Sequence, residues 1–391
     1  MKKALFISSR LLYPLIGGEK IRTAQTLRHL SQLYKVDVIC ESEEKNYTLG
    51  PLEKCINKYY HFYIPKFKHY LWTLNFLFNK DPLQVNYYYS KDIQKLIDSI
   101  IDEYDIIFCN NIRTTKYVIN HSKVVRYVDF VDSIAMNYQR AKKESKGLKK
   151  IIYTIDAKRC TDYERFIYKT FDRCSVISDI DRNYILNGDN PNNINVIFNS
   201  VTIPIPKIVE ENPYTLSFIG KMSYEPNIVA VKNFVKNIFP LILEDFPETK
   251  FYIVGANPTK EVLSLQSSNI IVTGFVDEVE TYMQQSSIVI APMLTGAGIQ
   301  NKILQAMSLK CCVVTTTIGA EGLSIKNNEI SIANGNINIA NAIKKLIENK
   351  EERISMGKKA FDYIVNNFSD EKVFEDFKEF IDKGNKDYSS I

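Results

Sequence analysis

The sequence predicts an α/β protein built from two doubly wound parallel sheets, one per domain. Three observations carry this. Short apolar, strand-like runs alternate with amphipathic helical stretches along the whole chain. The alternation halts once, in a stretch at 202–213 that holds Pro204, Pro206 and Pro213, and then restarts. The chain has 391 residues, enough for about two or three domains of ordinary size.

The elements follow in order. Residues 3–7 read as a strand, 21–33 as a helix with Leu27, Leu30 and Leu33 at helical spacing, and 36–40 and 59–64 as strands. A helix at 93–101 precedes strands at 105–109 and 124–128. A long helix at 151–171 leads to strands at 174–177 and 196–198. Beyond the proline stretch, strands are expected at 214–219, 250–254, 270–273, 287–291 and 312–315. A helix is expected over 228–244, with Val231, Phe234, Val235 and Ile238 on one face, and others at 351–366 and 370–383. The domain boundaries expected are 1–203 and 204–369, with the C-terminal helix 370–391 packing back onto the first domain.

Composition excludes several classes. A chain 45% hydrophobic and 24% charged is neither disordered nor fibrous. Its seven cysteines form no C-x-x-C pair, and its four histidines form no H-E-x-x-H, so neither a disulfide framework nor a metal site is expected. The D-x-D at Asp179 and Asp181 follows Ser178 and reads as a helix cap. No secretory signal opens the chain, and no apolar run reaches the roughly 18 residues of a membrane span. The expected location is cytoplasmic, with peripheral attachment to the inner face of the membrane left open. The net charge of +5 suits an anionic small ligand or a membrane surface as well as nucleic acid.

In open α/β sheets ligands lie beyond the carboxyl ends of the strands, so the loops there hold the candidates. Gly17 and Gly18, just ahead of a helix carrying Arg22, can bring backbone N–H groups to an anion, or form a plain flexible loop. Gly220 and Lys221 end the first strand of the second half. The run Gly298-Ile299-Gln300-Asn301-Lys302 joins a strand to a helix, and Lys221 and Lys302 are expected to converge on a diphosphate. Asp129 and Asp132 at a strand end suit hydroxyl binding or proton acceptance, although Asp132 or Ser133 also suits a helix cap. Glu321, between Gly319 and Gly322, suits sugar or ribose hydroxyls or a plain turn. No G-x-G-x-x-G and no P-loop occurs.

Taken in order and spacing, these loops resemble the retaining glycosyltransferases of family four. The opening strand with Gly17-Gly18 and Arg22 is similar to that family's glycine loop, and residues 196–201 to its crossover. Phe218-Ile219-Gly220-Lys221 resembles its basic strand end, Gly274-Phe275-Val276 the turn near the nucleotide base, and residues 291–307 the donor-binding loop and helix. The two glutamates of the family's donor helix fall at Ala297 and Gln305. The resemblance implies the GT-B fold of two facing Rossmann-like domains and transfer of a sugar from a nucleotide diphosphate sugar, with retention and without a metal or other cofactor. It implies that the acceptor is a growing surface glycan, as an oligosaccharide or lipid-linked. It also implies Lys302 as the main phosphate ligand, Asp129 or Asp132 facing the acceptor, and Phe275 and Gln305 beside the nucleoside. A catalytically weak binding scaffold and a nucleotide-sugar epimerase are the alternatives on the same fold.

The stretch 59–89 is dense in aromatics interleaved with Lys66, Lys68 and Lys80, and a second basic run holds Arg140, Lys142, Lys143, Lys146, Lys149 and Lys150. Core packing over a solvated basic face and contact with an anionic membrane both fit. Nucleic acid is not expected as a partner, because no RNA-binding signature accompanies the mixture.

Overall fold

A computed structural model describes the chain except residues 1, 16–17, 190–192, 205–210, 297, 326–327 and 389–391. It divides into two units, Met1–Asn199 with Val373–Ile391, and Ser200–Lys372.

The first unit is a parallel sheet. Its strands are β1 (Lys3–Ser8), β2 (Lys35–Ser42), β3 (Lys58–Tyr63), β4 (Ile106–Asn110), β5 (Val125–Asp129), β6 (Arg173–Val176) and β7 (Ile194–Val196). They lie in the order β3-β2-β1-β4-β5-β6-β7. Helices α1 (Gly18–Leu33), α2 (Lys66–Thr73), α3 (Leu83–Tyr87), α4 (Lys91–Ile100), α5 (Ile134–Glu144), α6 (Gly147–Thr170) and α7 (Asp179–Leu186) connect them. All five residues of β4 are buried, as are those of β5, because helices cover both faces of the sheet. One face packs Leu5, Ile7, Ile107 and Val128 against Ile97, Tyr163 and Ile167. The other packs Phe6, Phe108 and Tyr127 against α1 and against Phe377, Phe380 and Ile381 near the chain's end.

The second unit is a parallel sheet of β8 (Asn212–Ile219), β9 (Lys250–Val254), β10 (Ile270–Gly274), β11 (Ser286–Ala291), β12 (Val313–Thr315) and β13 (Ser331–Ile332), ordered β10-β9-β8-β11-β12-β13. Helices α8 (Glu225–Asn233), α9 (Phe239–Leu243), α10 (Lys260–Leu263), α11 (Val279–Gln285), α12 (Asn301–Ser308), α13 (Asn336–Glu348) and α14 (Lys350–Phe368) pack around it. The last helix, α15 (Asp370–Tyr388), returns to the first unit.

The helix expected over 228–244 is divided. Residues Phe234–Ile238 form a π-helical turn between α8 and α9, and Pro240 sits in the first turn of α9. Proline has no N–H to donate, so the ladder is rewound ahead of it. Both sheets reverse winding direction at one place, between β1 and β4 and between β8 and β11. Loops leaving these neighbouring strands diverge and open a crevice at the carboxyl edge.

Candidate functional site

At the reversal in the second unit, β8 ends in Gly220 and Lys221, and β11 leads through 292–300 into α12. The backbone here is crowded. A side chain at Gly255 would place its Cβ 1.9 Å from the Gly220 carbonyl oxygen, at φ +146°. One at Gly220 would meet the Asn227 amide at 2.6 Å. Glycine alone fits where two strand ends and a helix come this close.

Asn227, buried in the first turn of α8, joins the two candidate lysines. Its Nδ2 donates to the Lys221 carbonyl (3.0 Å), and its Oδ1 accepts from Lys302 Nζ (2.5 Å). The Lys302 ammonium lies 4.3 Å from the centroid of the buried Phe218 ring and 3.6 Å from Met293 Sδ. Among the described residues no carboxylate pairs with it. Burial pushes its pKa down to about 8, since nothing anionic offsets the lost hydration. Lys221 itself is exposed.

Lys302 belongs to the first turn of α12, whose N-cap residue, Gln300, makes no side-chain capping bond. Its amide donates instead to the Gly298 carbonyl (3.3 Å). Gly296 and Gly298 hold φ of +122° and +74°, and the Gly298 N–H donates to Glu321 Oε2 (3.4 Å). Glu321 therefore braces the loop, and Ile299 packs where a side chain on Gly322 would stand. Asn301 is exposed, and Ala297 lies outside the described residues. Gln305, one turn further along α12, donates to Glu280 Oε1 (2.8 Å) on α11. A carboxylate thus stands beside Gln305, supplied by another helix. Phe275 follows Gly274 at the end of β10 with 74% of its surface exposed.

In the first unit the structure joins Arg22 to Asp129. The guanidinium donates Nε to Oδ2 (2.7 Å) and Nη2 to Oδ1 (2.8 Å), with Arg22 2% and Asp129 1% exposed. Arg22 Nη1 also reaches the carbonyl of Ile197 and the side chain of Asn199. Asp129 Oδ1 further accepts from Ser175 Oγ (2.9 Å). The sequence suggests Arg22 for the donor and Asp129 for the acceptor; the structure turns each inward to the other, because a buried charge must be paired. Gly18 opens α1 beside open space, and Gly17 lies outside the described residues.

Asp132 differs. It is half-buried, accepts only from Asn137 Nδ2 (2.8 Å) among the described bonds, and has its pKa raised by burial. It follows Val131, held at φ +68°, a conformation that strains a β-branched residue. The Val131 carbonyl is fixed by the Ile177 N–H (2.8 Å). Ser133 caps α5, and the buried Glu164 accepts from its hydroxyl (2.7 Å). Near Asp132 stands a polar cluster that no local motif signals. Arg113 donates to Glu19 (2.6 Å) and to Gln84 (2.7 Å), Arg10 donates to Glu19 (2.7 Å) and to the Tyr88 hydroxyl (3.3 Å), and Arg113 lies over the Tyr88 ring. These residues come from loops and helices far apart in the chain and meet only at the carboxyl edge of β1 and β4.

The D-x-D at Asp179 and Asp181 is a cap: Ser178 accepts from the Asp181 N–H (3.2 Å), and Asp179 pairs with Arg182 (2.8 Å). Among the described residues no three His, Cys, Asp or Glu side chains gather as for a metal.

Comparison with known proteins bears on this geometry. Residues 213–349 match the family described as "Glycosyl transferases group 1". The chain is 28% identical over 173 residues to an uncharacterized 44.6 kDa protein in the cps region of Klebsiella pneumoniae, covering 41% of this chain and 45% of that protein. It is 28% identical over 239 residues to an uncharacterized glycosyltransferase of Methanocaldococcus jannaschii, covering 56% and 60%. The matches thus span about half the length of these curated relatives. Among solved structures, TarM aligns with a TM-score of 0.65 at 14% identity, over 97% of this chain and 98% of that one. HepE from Anabaena, solved with UDP-glucose, aligns at 0.61 and 13%, over 98% and 100%. WaaG, a glycosyltransferase involved in lipopolysaccharide biosynthesis, aligns at 0.59 and 13%, over 95% and 98%. The fold is GT-B: two parallel-sheet, Rossmann-like α/β domains.

Proposed function

We propose that the chain is a metal-independent glycosyltransferase, moving a sugar with retention from a nucleotide diphosphate sugar to a hydroxyl of a growing surface glycan. The observation that carries this is Lys302. It is an ammonium group drawn out of water without a carboxylate partner, in the first turn of a helix with no side-chain cap, behind a loop of left-handed glycines. Such a site is destabilised when empty and stabilised by an anion. The group 1 glycosyltransferase match, residues 213–349, falls within this unit and includes Lys302, and HepE was solved with UDP-glucose, which supports a nucleotide diphosphate as that anion.

The chemistry follows from charge. As the bond from the anomeric carbon to the diphosphate oxygen breaks, negative charge grows on the leaving diphosphate. Lys302, the α12 amides and Lys221 neutralise it. The Gln305–Glu280 pair offers a hydrogen-bond acceptor to sugar or ribose hydroxyls, and Phe275 offers a ring to the base. The acceptor oxygen bonds to the anomeric carbon and loses its proton. Asp132, made more basic by burial, is the group we assign to orient that hydroxyl and take up its proton. The cps-region relative, and the involvement of WaaG in lipopolysaccharide biosynthesis, support a surface glycan as the product.

The test is nucleoside diphosphate release from a panel of nucleotide sugars with glycan acceptors. Lys302→Ala is expected to lower kcat/KM by about 10²–10³, the scale for losing one charge-stabilising donor. An unchanged rate with a turned-over donor would sink the assignment. Tight donor binding with no release from any donor favours a binding scaffold instead.

A further inference from the structure

The aromatic stretch 59–89 is split by the fold. Tyr59, Tyr60, Phe62, Trp72 and Tyr89 pack against the cores of the first unit. Tyr63, Tyr70, Tyr87 and Tyr88 do not. Tyr87 and Tyr88 are half-buried, while Tyr70 is 59% and Tyr63 41% exposed. The backbone beneath them is pinned by buried groups. His69 donates from Nδ1 to the Tyr87 carbonyl (2.8 Å) and stacks on the Tyr87 ring with centroids 4.5 Å apart. Tyr117 donates to the Tyr88 carbonyl (2.6 Å) and accepts from the Ser90 N–H (2.8 Å). Rings held this way lose little entropy when a ligand settles on them.

The sheet sets these rings in a line with the polar cluster near Asp132. Part of the strand order is β3-β2-β1-β4-β5, and each of these strands leads at its carboxyl end to one member of the line. Asp132 follows β5, Arg113 follows β4, Arg10 follows β1, Glu43 and Lys45 follow β2, and Tyr63 ends β3. Neighbouring strands lie about 4.8 Å apart, so the line spans roughly 19 Å. Contacts join it link by link. Arg113 and Glu19 act electrostatically on Asp132. Arg113 lies 5.4 Å from the centroid of the Tyr88 ring, and Arg10 donates to the Tyr88 hydroxyl (3.3 Å). The Tyr88 and Tyr87 centroids are 4.9 Å apart, and Tyr70 meets Tyr87 edge-on at 5.9 Å. The Tyr87 hydroxyl donates to Glu43 (2.7 Å), and Lys45 on the same loop lies over the Tyr63 ring at 5.3 Å.

The chemistry of the line narrows its partner. A sugar ring has C–H faces that stack on aromatic rings and a rim of hydroxyls that need donors and acceptors. Tyrosines interleaved with guanidinium and carboxylate groups supply both. Arg10, Arg113 and Lys45 are mixed with Glu19, Glu43 and Glu44, so no field of one sign builds up to select a polyanion. One sugar at Asp132 covers only one end of the line. We propose that Tyr88, Tyr87, Tyr70 and Tyr63 are successive subsites for an uncharged glycan acceptor several sugars long, its growing end at Asp132 and its earlier sugars along the ends of β1, β2 and β3. This row extends the acceptor site assigned to Asp132 above and rests on that reading. Each further stacked sugar adds affinity, because it binds within a chain already held.

The full chain is tested on a printed array of neutral and acidic bacterial surface oligosaccharides, each series running from disaccharide to octasaccharide. The expected result is binding of at least one neutral series, its octasaccharide held at least about ten-fold tighter than its disaccharide. Tyr63→Ala/Tyr70→Ala should reduce that ratio to about two-fold, and Tyr63→Phe/Tyr70→Phe, which keeps both rings, should preserve it. Both tyrosines are exposed, and unchanged far-ultraviolet circular dichroism and melting temperature check the fold. No series bound by the parent chain, binding that ignores length, or binding confined to acidic glycans overturns the proposal. So does a length preference that the alanine pair retains or the phenylalanine pair loses. The row and the transferase fail separately. Length-dependent binding with no diphosphate release from any donor removes the transferase and leaves the row. Equal transfer to long acceptors by the parent chain and the alanine pair removes the row and leaves the transferase.

Discussion

Lys302 shows what one buried charge contributes. Its pKa is lowered to about 8 because the ammonium loses hydration without gaining an anion. A diphosphate binds the charged form, so the proton is retained more tightly in the complex than in the free protein. The sign follows. Below about pH 8 the site is charged and affinity is full; as pH rises through about 8 the free site loses its proton and affinity falls, by at most ten-fold per pH unit for one proton. Titration calorimetry with UDP and other nucleoside diphosphates from pH 6.5 to 9.5 should show this decline. Lys302→Arg, which keeps its proton throughout, should flatten it. A pH-independent affinity in the parent chain would mean that Lys302 does not meet the ligand.

At the scale of elements, the Arg22–Asp129 pair ties α1 to β5 and to the chain at Ile197 and Asn199. Arg22 and Asp129 are both buried, so removing the carboxylate strands a guanidinium away from water. Asp129→Ala is expected to destabilise the first unit by about 3–5 kcal/mol. For a domain of this size that lowers its melting temperature by roughly 10 °C, measurable by calorimetry. A catalytic carboxylate at a solvent-open site would instead cost activity with little loss of stability. The same reasoning separates Asp132 from Asp129, three residues apart. One turn of strained backbone at Val131 sends the first carboxylate into the core and leaves the second half-buried with an amide as its partner.

At the scale of the whole molecule, each unit has its own core, and α15 completes the first. Val373, Phe377, Phe380 and Ile381 cover Phe6, Phe108 and Tyr127, and the Tyr127 hydroxyl donates to the Ile381 carbonyl (2.6 Å). Deleting residues 373–391 uncovers that sheet face. The truncated chain should lose the first unit's transition from a two-transition melt, or aggregate through that unit, while the second unit keeps its own transition. A melt identical to that of the full chain would show that α15 adds nothing to the first core.

The sequence by itself determined the alternation of strands and helices, the proline stretch between the halves, and the glycine and lysine positions at the strand ends. These are local signals, set by period, backbone freedom and side-chain charge. The tertiary structure decided which carboxylate is paired and which is open, that Asn227 joins Lys221 to Lys302, and that Glu280 stands beside Gln305. It also gathered Arg10, Glu19, Gln84, Tyr88 and Arg113 at one sheet edge. It alone sorted the aromatics of 59–89 into core and exposed face. The reason is physical. A parallel sheet brings distant strand ends together through long crossovers, so the partners of a charge, and the burial of a ring, depend on contacts that no sequence window contains.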